Sequence, residues 1–152
     1  MEKKEMQDLT RDYLKKIGFQ VLKKTKFYYQ NDSLVLRLCL EKSNFSELYY
    51  FTYHFRIKVL HPEINDITND NVWDTFGGRL GYGNDRVFQV EYQLWNADTY
   101  LRELTMISEK QLVPIMYCGI SYIKRLALDC ESCGAWIVFK ELDKQKILSL
   151  PE

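Results

Sequence analysis

The clearest pattern along the chain is an alternation of apolar and polar positions over residues 33–60. Every second residue of the first arm is a leucine, namely Leu34, Leu36, Leu38 and Leu40. The second arm repeats the period with Tyr49, Phe51, Tyr53, Phe55, Ile57 and Val59. A period of two is typical of β-strands that bury one face. The segment therefore predicts a long antiparallel hairpin around the polar turn at residues 43–46.

The position of this turn predicts which residues of the two arms lie opposite one another. If the turn is centred between Asn44 and Phe45, opposite positions have numbers that sum to 89, and leucines face aromatic residues. The second face then holds the pairs Cys39/Tyr50, Arg37/Thr52, Val35/His54 and Ser33/Arg56. A shift by one residue would expose the leucines, so only even shifts keep the apolar face buried. One apolar face and one polar face predict helices on a single side of the sheet.

Helical and strand patterns elsewhere predict what surrounds the hairpin. Residues 3–17 form an amphipathic pattern that ends at Gly18, and residues 19–22 and 26–30 are predicted as short strands. Ser108 with Gln111 resembles a capping box, which predicts helices over residues 109–130 that Gly119 divides. Residues 100–107 fit a strand or a helix, and the spacing of Leu101, Leu104 and Ile107 favours the helix. Further predictions are strands at residues 87–94 and 135–139 and a helix at residues 142–150. Together they predict one α+β domain over residues 1–152, with an antiparallel sheet of about five or six strands.

Composition narrows the functional classes without selecting one. The 152 residues are 46% hydrophobic and 28% charged, which suits a single globular domain. The formal net charge is +0, so no global field attracts nucleic acid or a membrane surface. No apolar run approaches the ~20 residues of a membrane span, and the first residues lack the apolar core of a secretory signal. We therefore expect a cytoplasmic protein with reduced cysteines.

The charge is unevenly distributed along the chain. Residues 63–109 hold nine acidic residues and three arginines, a net charge of −6. This excess suggests an acidic surface that faces a basic partner protein, and a solvated loop region is the alternative.

Three groups of residues resemble functional motifs, but each lacks something its chemistry requires. Cys130 and Cys133 form a CxxC motif where a helix is predicted to end. A reactive thiolate is stabilised at the N-terminus of a helix, which is the opposite end. A zinc site would need a second pair of ligands. The aspartates Asp66, Asp70 and Asp74 lack calcium-loop spacing. The glycines Gly77, Gly78, Gly81 and Gly83 lack a phosphate-loop ending, and a hairpin around residues 84–85 explains them better. No metal or cofactor is predicted.

The polar face of the hairpin holds the candidate binding residues, which are Arg37, Tyr50, Thr52, His54 and Arg56. Cationic and hydroxyl side chains in one place suit an anionic ligand or an acidic protein surface. Nucleophilic catalysis by Cys39 with His54 would need an orienting carboxylate, and none is evident. The sequence therefore favours binding over catalysis at this face.

Several short motifs occur together in an order that marks a family resemblance. Gly18-Phe19 follows the first helix, Lys23-Lys24 and an aromatic strand come next, and Glu41 to Ser46 lead to Tyr49-Tyr50. Val113-Pro114-Ile115 lies in the later helical region. In these features the chain resembles the bacterial domain-of-unknown-function 4304 family. The resemblance implies an α+β fold and transfers no catalytic residue.

These observations lead to a functional hypothesis with one alternative. The hypothesis is a non-catalytic protein-binding module with an immunity-like or regulatory role, whose partner the sequence does not identify. The alternative is a small-ligand-binding protein or an enzyme that uses the polar face around His54.

Overall fold

The fold is known from a computed structural model that describes residues 1–62, 76–83, 86–129, 136–139 and 141–151. Four helices are described: α1 (Lys3–Ile17), α2 (Ala97–Gln111), α3 (Val113–Asp129) and α4 (Glu141–Leu148). The strands are β1 (Gln20–Lys23), β2 (Lys26–Gln30), β3 (Leu34–Lys42), β4 (Tyr49–Ile57), β5 (Phe76–Arg79), β6 (Gly81–Gly83), β7 (Arg86–Val87), β8 (Gln89–Val90) and β9 (Trp136–Phe139). Short 3-10 helices span Lys58–Leu60 and Tyr92–Leu94.

The predicted hairpin, β3 and β4, forms the centre of an antiparallel sheet. The strand order is β1-β2-β3-β4-β5-β9, and β8 pairs with the start of β4. Strands β6 and β7 form a separate two-stranded hairpin. The predicted α+β class and antiparallel sheet are confirmed. No helix among the described residues is both long and apolar enough to cross a membrane.

The predicted register of the central hairpin is wrong by two residues. Leu34 lies opposite Ile57, so opposite positions have numbers that sum to 91 rather than 89. The cause is a longer loop at residues 43–48, which is closed by a 2.8 Å hydrogen bond from the Ser43 N–H to the Leu48 carbonyl. An ion pair of 3.1 Å between Lys42 and Glu47 spans its base. Because the shift is even, the leucines and aromatic residues still share one face.

The leucine–aromatic face is the core of the protein, as predicted. Leu36, Leu38, Phe51 and Tyr53 are fully buried, and they belong to one cluster with apolar residues from all four helices. Burying a large apolar side chain contributes roughly 1.5–3 kcal/mol, so this face dominates the stability of the fold. The helices therefore pack on the aromatic face of the sheet.

Helix α2 includes the helix predicted at residues 100–107, and it begins and ends at other residues than predicted. Helix α2 begins after Asn96, whose side-chain oxygen accepts a 2.8 Å hydrogen bond from the Thr99 N–H. Ser108, predicted as a cap, lies buried inside this helix. Helix α3 then begins at Val113, and Gly119 interrupts it with φ 55° and ψ −133°, a conformation that glycine tolerates. The predicted division at Gly119 is confirmed, and the predicted start at Glu109 is wrong.

The predicted strand over residues 87–94 is also corrected. Two-residue strands β7 and β8 flank the buried Phe88, and the chain then turns into the 3-10 helix at Tyr92–Leu94. Phe88 stacks on Phe51 with ring centroids 6.2 Å apart, so Phe88 packs into the core between two short strands that pair with β6 and with β4.

Candidate functional site

The second face of the sheet carries the predicted binding residues, and we call it the polar face. Alternation along the strands and the observed pairing define its positions. In β2 to β5 these positions are Lys26, Tyr28, Gln30, Val35, Arg37, Cys39, Glu41, Tyr50, Thr52, His54, Arg56, Gly77 and Arg79. All five predicted residues therefore share one face of the central strands.

The observed register changes which polar residues are neighbours. Arg37 lies opposite His54, and Thr52 lies opposite Cys39 rather than Arg37. Strand β5 adds a third residue to each of these two pairs, because it places Gly77 beside His54 and Arg79 beside Thr52. Side chains directly opposite in an antiparallel pair have Cβ atoms about 4.5–5.5 Å apart. The polar face therefore holds His54 between an arginine and a glycine.

The five predicted residues differ sharply in exposure. Arg37 is 5% exposed and Arg56 is 3% exposed, whereas Tyr50, Thr52 and His54 are half-buried. Both arginines take part in interactions within the fold, as a buried guanidinium requires. A ligand or partner would therefore reach Tyr50, Thr52 and His54 more readily than the two arginines.

Gly77 makes room for the imidazole of His54. A Cβ atom built on Gly77 would lie 2.8 Å from both Cε1 and Nδ1 of His54, closer than side chains pack. The imidazole thus occupies the space that any other residue at position 77 would fill. The glycines that resembled a phosphate loop lie in β5 and β6, and the hairpin explanation of Gly81 and Gly83 is supported by their pairing with β7.

Arg79 is the site residue that the sequence analysis missed. Its guanidinium carbon lies 4.3 Å from the centroid of the Tyr50 ring, so the two side chains form a cation–π pair. Both side chains are half-buried. Arg79 reaches this position because β5 pairs with β4 across a large sequence separation. No local pattern in the sequence signals that pairing.

The chemistry of the polar face favours binding. Burial raises the pKa of the Cys39 thiol, although the neighbouring Arg37 opposes this effect. A neutral thiol is a weak nucleophile, so Cys39 is poorly suited to act with His54. Among the described residues no group of three or more histidine, cysteine or acidic side chains could hold a metal ion. The CxxC cysteines and the three aspartates considered for calcium lie outside the described residues.

Cations outnumber carboxylates at the described strand positions of the polar face, and each of these cations has an interaction within the fold. These positions include four cations (Lys26, Arg37, Arg56 and Arg79) and one carboxylate, Glu41. The predicted acidic surface of residues 63–109 is harder to place, because five of its nine acidic residues lie outside the described residues. It stays a prediction.

Comparisons with known proteins add no family to this description. No family model matches the chain, and no curated protein or solved structure matches it. The resemblance to the domain-of-unknown-function 4304 family stays a prediction.

Proposed function

We propose that this protein is a non-catalytic, cytoplasmic protein-binding module with a regulatory or immunity-like role, and that the polar face contacts its partner. The leucine–aromatic face is covered by helices, and on the polar face Tyr50, Thr52 and His54 are half-buried and so within reach of a partner. The alternative version, in which an acidic surface blocks a basic partner, depends mainly on residues that the structure does not describe. The geometry therefore supports the polar face better.

The observation that carries the proposal is the cation–π pair of Arg79 and Tyr50. Arginine and tyrosine are among the residues most enriched at binding hot spots. At 4.3 Å from the ring centroid, the Arg79 guanidinium is held by the ring, so binding would cost little side-chain entropy. His54 lies two residues further along β4, and its imidazole fills the space beside Gly77.

Affinity capture from native lysate tests the proposal. We expect the wild-type protein to retain a stoichiometric partner at low salt. The double variant Tyr50→Ala, Arg79→Ala should lose that partner. The matched control is Arg86→Ala, because Arg86 also lies over a tyrosine ring (Tyr82, 5.1 Å) but belongs to the β6–β7 hairpin.

Two results would overturn the proposal. One is the absence of any stoichiometric partner at low salt. The other is a partner that the double variant retains as well as the Arg86→Ala control does, while circular dichroism shows that both variants are folded.

A small-ligand or enzymatic role around His54 is the second candidate. The observation that favours it is the half-buried imidazole, whose position is fixed by contact with Gly77. A thermal-shift screen of small anionic metabolites would support this role if a ligand raised the Tm of the wild type and not that of His54→Ala. The protein-binding proposal predicts no such ligand.

A further inference from the structure

We propose that the free edge of strand β1 binds an extended acidic segment of a protein, which adds to the sheet as a further strand. This inference goes beyond the proposed function, because it concerns the edge of the sheet and not its polar face.

Strand β1 is an edge strand of the main sheet. Among the described strands it pairs only with β2, so its other side has no strand neighbour there. In an antiparallel pair, alternate residues direct their N–H and C=O groups away from the partner strand. Gln20, Val21 and Lys23 are exposed, so this edge is accessible from solvent. It therefore offers backbone hydrogen bonds to an extended segment of another protein.

The chain around this edge is basic. Residues 13–31 contain five lysines and no acidic residue. Lys26 has an interaction within the fold, and the other four lysines are exposed: Lys15, Lys16, Lys23 and Lys24. None of these four forms an ion pair within the part of the chain that the structure describes. Their charges are therefore available to an acidic partner.

The four exposed lysines lie in the chain at the two ends of β1. Helix α1 packs against β1 and ends at Ile17, so its last turn, with one pair of lysines, precedes the strand. The other pair lies where β1 ends at Lys23. A strand of 4 residues is about 13 Å long. An extended segment with acidic residues at both ends therefore matches this edge.

The lysines also select against other occupants. A second copy of β1 would bring lysines close to lysines in either strand direction, and lysines on edge strands are known to prevent such pairing. Nucleic acid has no peptide groups to continue the ladder, and its binding depends on a broad basic surface. The whole chain has a formal net charge of +0, so a short acidic segment is the better match.

The bulge in β1 determines how the affinity is divided. The register shifts between Val21 and Lys23, which keeps the regular ladder short. The Val21 side chain is 41% exposed, so an added strand gains some apolar contact there. The lysines must supply much of the remaining affinity, and binding should therefore weaken at high salt.

Fluorescence anisotropy at low salt with a labelled octapeptide tests the inference. The probe has two glutamates at each end and Thr-Val-Thr-Val between them, because threonine and valine favour strands. We expect the double variant Lys23→Ala, Lys24→Ala to bind about fivefold more weakly, which two exposed charge pairs would provide. The matched control is Lys110→Ala, Lys146→Ala, which removes the same charge from exposed positions in α2 and α4 and should bind like the wild type.

Hydrogen exchange separates strand addition from attraction between charges alone. The amides of β1 that point away from β2 should exchange more slowly when the octapeptide is bound, because the peptide supplies their acceptors. An octapeptide that is N-methylated at its four central residues cannot donate backbone hydrogen bonds there, and it should bind more weakly than the unmodified probe.

Several results would overturn the inference. The octapeptide does not bind the wild type, or it binds the Lys23→Ala, Lys24→Ala variant as tightly as the control. The amides of β1 gain no protection, or N-methylation leaves the affinity unchanged, since charge alone would then explain the binding. A single-stranded oligonucleotide of the same net charge binds as tightly as the octapeptide. The octapeptide is lost in the Tyr50→Ala, Arg79→Ala variant, which would place the contact on the polar face.

Discussion

Replacing Gly77 with alanine would test the contact that positions His54. The new Cβ would lie 2.8 Å from two ring atoms, so the imidazole must move or the strands must separate. Overpacking of this kind costs typically ~1–3 kcal/mol. Alanine in a strand recovers roughly 0.5–1 kcal/mol relative to glycine, because the unfolded chain is less flexible. We therefore expect Gly77→Ala to destabilise the protein by about 1 kcal/mol.

The same substitution should behave differently when the imidazole is absent. In a His54→Ala background the new methyl group has room, so Gly77→Ala should be neutral or stabilising. Urea unfolding of the four proteins gives the coupling free energy, and pairs in direct contact typically show about 0.5–3 kcal/mol. Equal destabilisation in both backgrounds would refute the contact and show that position 77 requires glycine for its backbone.

Proton NMR offers a readout of the imidazole itself. The chain has two histidines, so His61 serves as an internal control in every spectrum. Gly77→Ala should shift the Cε1–H resonance of His54 and leave that of His61 in place. Unchanged resonances of both histidines would show that the ring does not rest on Gly77.

Three further predictions concern stability. Gln111→Met should cost about 2–4 kcal/mol in urea unfolding, because the buried Gln111 amide accepts from the Gly81 N–H at 3.1 Å and donates to its carbonyl at 2.6 Å. Asn96→Ala should cost about 0.5–2 kcal/mol by removing the cap of α2, and an unchanged midpoint would refute that role. Burial and a nearby carboxylate raise the pKa of Tyr82 from 10.0 to about 12, so its contribution to stability is complete below pH 10 and is lost as the pH rises to about 12. Tyr82→Phe should flatten that alkaline loss.

The faces of the central sheet could be predicted because they depend on a short-range pattern. Leucines and aromatic residues alternate in the sequence, and the same residues are buried in the structure. The register could not be fixed, because it depends on hydrogen bonds inside the loop at residues 43–48. Because the register differs by two residues from the predicted one, Arg37 lies opposite His54 and not opposite Thr52.

The candidate site was predicted in part, and its missing pieces come from long-range pairing. Arg79 and Gly77 join the polar face only because β5 lies beside β4. The start of α2 had a local signal, since Asn96 is a favourable cap, but the stronger resemblance of Ser108 and Gln111 to a capping box obscured it. The burial of Arg37 and Arg56 had no signal in the sequence, because arginines on the polar side of a strand are usually exposed.

Hydroxyl-radical footprinting of the captured complex tests the central claim most directly. Tyr50 and His54 are half-buried in the free protein, whereas Phe45 is 99% exposed and Tyr117 is 70% exposed on other surfaces. If the polar face contacts the partner, oxidation of Tyr50 and His54 should fall in the complex while oxidation of Phe45 and Tyr117 stays unchanged. Protection of Phe45 or Tyr117, with no protection of Tyr50 and His54, would contradict the account.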